Sequence, residues 1–189
     1  MATSQVQAAN RALQHLGAKR IEALTQDHPN ARSMNAAFQT VRDGLLRRYD
    51  WSFAIKRASI AADGDDPVWG DWNRYSLPND FIKLIRDDES GQRVDWKVEG
   101  LYILSADEAP LEIRYVARIE DTNTWDALFF EAFACLLALE TCREITGSAA
   151  AEDRIARKYD EYIADAKKAG AIEKEAQEAP TDDWLNARL

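Results

Sequence analysis

The chain has few of the residue types from which metal and nucleophile sites are built. It contains two cysteines and two histidines among 189 residues. His15 and His28 lie in different predicted elements, and neither has a cysteine or carboxylate at the spacing of a metal-binding motif. The P-loop, the dinucleotide-binding fingerprint and the serine-hydrolase elbow are also missing from the sequence. We therefore expect no catalytic residues, no metal and no cofactor, and interpret the chain as a non-enzyme.

The two cysteines lie seven residues apart in one predicted helix, as Cys135 and Cys142. At about 1.5 Å of rise per residue they are about 10 Å apart, too far for a disulfide. We expect both to be reduced core residues. His15 lies beside the apolar stripe of the first predicted helix, which indicates an interface or surface position. The 33 acidic residues are so numerous that paired carboxylates carry no signal of catalysis.

Membrane and secretion signals are also lacking. The N-terminus has no basic flank and no apolar run, and Asp126, Glu131 and Glu140 interrupt the longest apolar stretch, 125–147. We expect no membrane partner and an origin in the cytosol. The formal net charge of −9 argues against a protein that grips phosphate backbones with clustered lysine and arginine.

The stretch 125–147 is apolar on nearly every side of a helix, which predicts a buried helix that the other elements cover. Asp121, Thr122 or Thr124 is expected to cap its start, and Gly147 to follow its end. Helical periodicity predicts three further helices, over about 4–16, 27–49 and 148–170. Gly170 is expected to bend or end the last of them.

Short runs of β-forming residues separated by turn residues fill the region 53–118. Its last three runs predict a meander, and the whole region predicts one small antiparallel sheet with one face in water. The predicted fold class is α+β. A bundle of about four helices (1–52 and 119–175) carries an inserted antiparallel β region (53–118) and an extended C-terminal arm (176–189).

Two tryptophans, Trp69 and Trp72, lie in a polar loop between predicted strands. They either pack beneath their own loop or anchor a partner, because tryptophan is enriched at the energetic centres of interfaces.

The last residues, APTDDWLNARL, place Trp184, Leu185, Arg188 and Leu189 after a long charged segment. The backbone entropy lost on ordering this arm is at least as large as the free energy gained by burying its apolar side chains. We therefore predict an arm that becomes ordered on a partner. The alternative is a frayed terminus.

Four segments occur along the chain in the order LLRRYDWSFA, YSLPNDF, YVARIEDTNTWDALFFEAFACLLALETCREITGS and WLNAR. This set resembles the tail tubular protein A family, the head-to-tail adaptors of short-tailed bacteriophages. The resemblance spans nearly the whole chain. The motif Trp51-Ser52-Phe53-Ala54 and the group Tyr75, Leu77, Pro78 and Asp80 are its most specific parts.

The resemblance implies a structural protein of the virion tail, assembled in the host cytoplasm. Such a protein forms a ring of twelve subunits below the portal, extends the DNA channel and carries the tail nozzle. It further implies that the C-terminal arm, with Trp184, Leu185, Arg188 and Leu189, docks on the portal. From its position, the loop with Trp69 and Trp72 is expected to face the nozzle. The net negative charge would let DNA pass through the lumen without specific binding.

Two other functions remain as alternatives. A cell-wall-cleaving tail component would reduce the turbidity of a peptidoglycan suspension. A cellular helical interaction adaptor would form a stable homodimer that ignores phage portals.

Overall fold

The computed structural model describes residues 4–65, 67, 69, 70, 72–85 and 96–173. Within these residues the helices are α1 (Gln5–Leu16), α2 (Pro29–Arg48), α3 (Ala127–Thr146) and α4 (Ala149–Glu173), with 3-10 helices at Ser52–Ala54 and Thr122–Thr124. The strands are β1 (Ile55–Ile60), β2 (Asn73–Ser76), β3 (Phe81–Ile85), β4 (Lys97–Glu99), β5 (Tyr102–Ser105) and β6 (Leu111–Ala117). The predicted α+β class, with four helices and an inserted antiparallel β region, is confirmed.

Helix α3 is the centre of the helical layer, because it packs against α1, α2 and α4. Phe129, Phe133 and Leu137 are fully buried in these contacts. A helix that is apolar on nearly every side needs several neighbours, and the other three helices provide them. The prediction of a buried central helix is therefore confirmed.

The start of α3 differs from the prediction. Its cap is Asp126, whose side chain accepts hydrogen bonds from the N–H groups of Leu128 and Phe129. The predicted caps Asp121, Thr122 and Thr124 belong to the 3-10 helix that precedes it. Asp121 caps the 3-10 helix instead, and the extended backbone of Trp125 ends that helix, so α3 begins only after Asp126. The predicted end at Gly147 is confirmed, since Gly147 has a φ of 64°.

The other helices begin close to the predicted positions. Ser4 caps α1 in a reciprocal pair of hydrogen bonds with Gln7, and His28 Nδ1 accepts from the Asn30 N–H at the start of α2. Of the two outcomes predicted at Gly170, a bend or an end, the end is wrong, because helix α4 continues through Gly170 to Glu173. A glycine costs the interior of a helix only about 1 kcal/mol relative to alanine, which packing of the preceding turns can offset.

The β region forms two antiparallel sheets instead of the predicted single sheet. The first has the strand order β1-β6-β3 and the second β2-β5-β4. The hairpin of β4 and β5 around Gly100 agrees with the prediction, but β6 does not continue the meander. It lies at the centre of the first sheet, between β1 and β3. Ile113 and Tyr115 are buried on one face and Val116 on the other.

The two sheets and the helices form three layers. Tyr75 and Ile103 of the second sheet pack against Ile113 and Tyr115 of the first, which makes a second core separate from the helical one. Val116 on the opposite face of the first sheet belongs to the helical core. The outer face of the second sheet is exposed to solvent, so the solvent-facing side that the sequence predicts is found on this sheet.

Candidate interaction surface

The solvent-facing side of the second sheet is set by the register of its three strands. Arg74 and Lys97 both pair with Leu104, and Glu99 pairs with Tyr102. Because side chains alternate between the faces of a strand, these residues share one face, opposite the buried face. With the preceding loop, that face encloses a concave pocket of about 340 Å³. We call it the outer aromatic face, and it is lined by Pro67, Trp69, Gly70, Trp72, Arg74, Lys97, Glu99, Tyr102 and Leu104.

Two cations of this face stack on two of its aromatic rings. Lys97 Nζ lies 4.4 Å from the centre of the Trp72 ring, and the guanidinium carbon of Arg74 lies 4.5 Å from the centre of the Tyr102 ring. Both distances are within the range at which a cation is attracted by the negative face of an aromatic ring. Two rings of the outer aromatic face, those of Trp72 and Tyr102, therefore each carry a cation from the same chain.

Arg74 also fastens the loop to the sheet. Its Nε donates to Asp63 Oδ2 at 3.1 Å, and its Nη2 lies 3.3 Å from Asp65 Oδ2. The Asp63 N–H donates to the Arg74 carbonyl at 2.7 Å. These contacts hold the start of the loop against β2, so the loop leading to Trp69 begins from a defined position.

The structure separates the two tryptophans found in the sequence. Trp69 is 87% exposed, so it does not pack beneath its own loop, whereas Trp72 is half-buried under Lys97. The sequence indicated both tryptophans, but it did not indicate Arg74, Lys97 or Tyr102 as their neighbours. Strand pairing alone joins these residues to the loop, and no local pattern in the chain predicted that pairing. A partner-binding role for Trp69 and Trp72 stays a prediction.

The predicted portal-binding residues lie outside the described residues. This applies to Trp184, Leu185, Arg188 and Leu189, and to the whole arm 176–189. Their role remains a prediction.

A second polar cluster lies where α1, α3 and α4 meet. The His15 side chain is only 6% exposed. The interface predicted for it is therefore the contact between helices of its own chain. Its Nε2 lies 3.5 Å from Cys135 Sγ and 3.8 Å from Glu131 Oε2, and its Nδ1 lies 3.5 Å from Lys158 Nζ. Arg11 holds Glu131 through three hydrogen bonds of 2.9–3.0 Å.

The pKa values of this cluster point away from nucleophilic chemistry. Burial, followed by the charges of Lys158 and Arg11, lowers the pKa of His15 to about 4. Burial raises the pKa of Cys135 to about 11. At neutral pH the thiol stays protonated, and the reactive form of cysteine is the thiolate. The cluster therefore joins three helices and does not form a nucleophile site.

Trp51 and Asp80, which belong to the most specific parts of the resemblance, connect separate elements of the fold. Trp51 is buried, and its Nε1 donates to the Leu45 carbonyl at 3.0 Å. Asp80 accepts from Lys56 Nζ at 2.6 Å and from the Tyr115 hydroxyl at 2.9 Å. Burial alone would raise the pKa of Asp80, but these two hydrogen bonds outweigh it and hold the pKa below its usual value. Burial and Asp80 together raise the pKa of Tyr115 to about 12.

No family model matches this sequence, and no curated protein sequence matches it. Within the described ranges, none of the helices has both the length and the apolar character needed to cross a lipid bilayer. The same part of the chain holds no group of three histidine, cysteine or carboxylate side chains arranged for a metal ion.

Proposed function

We propose that this chain is a structural head-to-tail adaptor of a short-tailed phage, which forms a ring below the portal and carries the tail nozzle. The observation that carries the proposal is the resemblance of four ordered segments, from LLRRYDWSFA to WLNAR, to the tail tubular protein A family. The protein is a subunit of the virion tail, and it has no substrate.

The positions of the motif residues support this proposal. Trp51 contacts Phe129 of the central helix, and Asp80 joins β1 to β6 through Lys56 and Tyr115. Both contacts join layers of the fold, where close packing makes a change of side chain costly. The resemblance therefore falls on residues that determine the architecture, and not on a loop where a match carries little weight.

The layered shape also suits a ring subunit. The helical layer and the outer aromatic face lie at opposite sides of the three-layer stack, with the first sheet between them. A ring closes through a heterologous contact between two different lateral faces, which leaves its upper and lower surfaces free for other proteins. In this arrangement the exposed Trp69 is available to the nozzle, and we assign binding of the portal to the arm 176–189.

The ring is tested by electron microscopy of the protein mixed with its cognate portal. The expected result is a twelve-fold ring of this chain stacked on the portal. A free monomer without portal agrees with the proposal, because the portal can act as the template for assembly. Particles in which the portal carries no added density after incubation with excess protein would contradict it.

The arm is tested by truncation after Ala179. Because the described core ends before the deleted residues, the truncated chain should keep the unfolding midpoint of the full chain while losing binding to the portal. A matched control replaces only Arg188 with alanine, which tests charge without removing the aromatic anchor. Portal binding by the truncated chain at full affinity would refute the role of the arm.

A further inference from the structure

The three aromatic residues of the outer aromatic face differ in whether a cation of the chain stacks on their rings. Lys97 stacks on Trp72 and Arg74 stacks on Tyr102, each at about 4.5 Å or less. Among the described residues no cation lies over Trp69, although this is the most exposed large apolar side chain there. Two of the three rings therefore have a cation from their own chain, and the third is presented to solvent.

We propose that the outer aromatic face binds an arginine-bearing segment of another protein, whose guanidinium stacks on Trp69. A planar guanidinium is attracted to the face of an indole and can pair with a carboxylate at its edge at the same time. The arginine of the partner stacks on Trp69 in the same way that Lys97 stacks on Trp72 and Arg74 stacks on Tyr102.

The charges around Trp69 favour a basic segment. The exposed Glu99 lines the same pocket, and the side chain of Asp65 is 88% exposed at the edge of the loop. The charge of Arg74 is offset by its two aspartate partners. The carboxylates of Asp63, Asp65 and Glu99 thus outnumber the charges of Arg74 and Lys97 by one, so an arginine that stacks on Trp69 can pair with Glu99.

The same charges disfavour an acidic segment. The carboxylates of the loop would repel it, and the formal net charge of the whole chain is −9.

The inference rests on the proposed function only for the identity of the partner, which in a ring would be the nozzle protein. Binding of an arginine peptide to the isolated chain tests the face alone. If the peptide fails to bind while the ring still forms on the portal, this inference is overturned and the proposed function stands. If the peptide binds and no ring forms, the reverse holds.

The experiment needs a readout specific to Trp69, because an acidic chain attracts any basic peptide weakly over its whole surface. The full chain is labelled with ¹⁵N and titrated with a short peptide of glycine, serine and arginine. The Trp69 indole N–H resonance is identified as the one of six that disappears in Trp69→Phe. The control peptide carries citrulline, which keeps the shape of arginine without its charge.

The expected result is a saturable shift of the Trp69 resonance with the arginine peptide and none with the citrulline peptide. Trp69→Ala should weaken peptide binding roughly five-fold and Glu99→Gln roughly two- to three-fold. Leu101→Ala is the matched control, because Leu101 is 75% exposed but does not line the pocket, and its affinity should be unchanged.

Three results would overturn the inference. The first is an equal shift with the citrulline peptide, and the second is unchanged affinity in Trp69→Ala. The third is a Trp69 shift produced by a neutral oligosaccharide and not by the arginine peptide, which would make the face a sugar site.

Discussion

The rings of Trp51 and Phe129 meet edge to face, with centres 4.9 Å apart and an interplanar angle of 80°. Trp51 follows the end of α2, and Phe129 lies in the first turn of α3. Trp125 contacts the other side of Phe129 at 5.0 Å and 83°. This aromatic group fixes how the N-terminal helices dock on the central helix. Trp51, which lies between the helical layer and β1, therefore has a structural role.

Replacing Trp51 with alanine should lower the free energy of unfolding by about 3–5 kcal/mol, because the large buried ring would leave a cavity. The loss is measured by urea denaturation followed by circular dichroism. Trp51→Phe is the matched control. It keeps most of the ring packing and loses the hydrogen bond to the Leu45 carbonyl, so its cost should be clearly smaller. A loss below about 1 kcal/mol in Trp51→Ala would show that the ring does not belong to the core.

Replacing Asp80 with asparagine should destabilise the fold by about 1 kcal/mol at neutral pH. The change removes the charge that Lys56 and Tyr115 contact. Because the pKa of Asp80 is lowered in the folded protein, its contribution is present above the pKa of an unfolded aspartate. It is lost as the pH falls through the lower folded value.

The difference in stability between the wild type and Asp80→Asn should therefore be constant from pH 7 to about pH 5 and shrink below about pH 4. Urea unfolding at several pH values measures it. A difference that persists undiminished at about pH 2 would show that the carboxylate charge has no part in it.

His15 should make the fold less stable as the pH falls from 6.5 toward 4. Its pKa is lowered from 6.5 to about 4 in the folded protein, so the unfolded chain takes up a proton that the folded chain excludes. The positive charges of Lys158, Arg11 and Arg154 disfavour protonation of the His15 ring, while the charge of Glu131 favours it. Arg154 also donates to the His15 backbone carbonyl. The loss reaches up to about 3 kcal/mol at the low end of this range.

NMR titration of the His15 ring should give a midpoint near pH 4, and His15→Gln should flatten the decline in stability between pH 6.5 and pH 4. The comparison isolates one group because Glu131 and Lys158 are unchanged in the variant. A His15 midpoint near 6.5 would contradict the burial seen among α1, α3 and α4.

Two glycines should respond oppositely to alanine. Gly147 has a φ of 64°, a conformation that strains any residue with a Cβ, so Gly147→Ala should cost about 1 kcal/mol. Gly170 lies inside α4, and a Cβ there would meet no atom within 4 Å, so Gly170→Ala should stabilise by about 0.5–1 kcal/mol. Thermal unfolding of the two variants beside the wild type checks both signs. Stabilisation by Gly147→Ala would contradict the helix end described here.

The helices could be predicted because their signals are local. The apolar stretch 125–147 and its terminal Gly147 mark α3 without reference to any other segment. The choice of Asp126 over Asp121 as its cap was not predicted, because several residues that can cap a helix lie between 121 and 126 and only the path of the chain decides between them. Trp69 and Trp72 were found from composition alone, but their cationic neighbours were not.

The sequence by itself determined the four α-helices of the described residues, the α+β class, the reduced cysteines and the burial of α3, because each follows from the spacing of neighbouring residues. Only the tertiary structure decided that β6 lies between β1 and β3, and that Arg74 and Lys97 meet aromatic rings across the second sheet. Strand pairing joins residues far apart in the chain, and its free energy depends on which faces other layers cover. That information is spread over the whole molecule and is carried by no single segment.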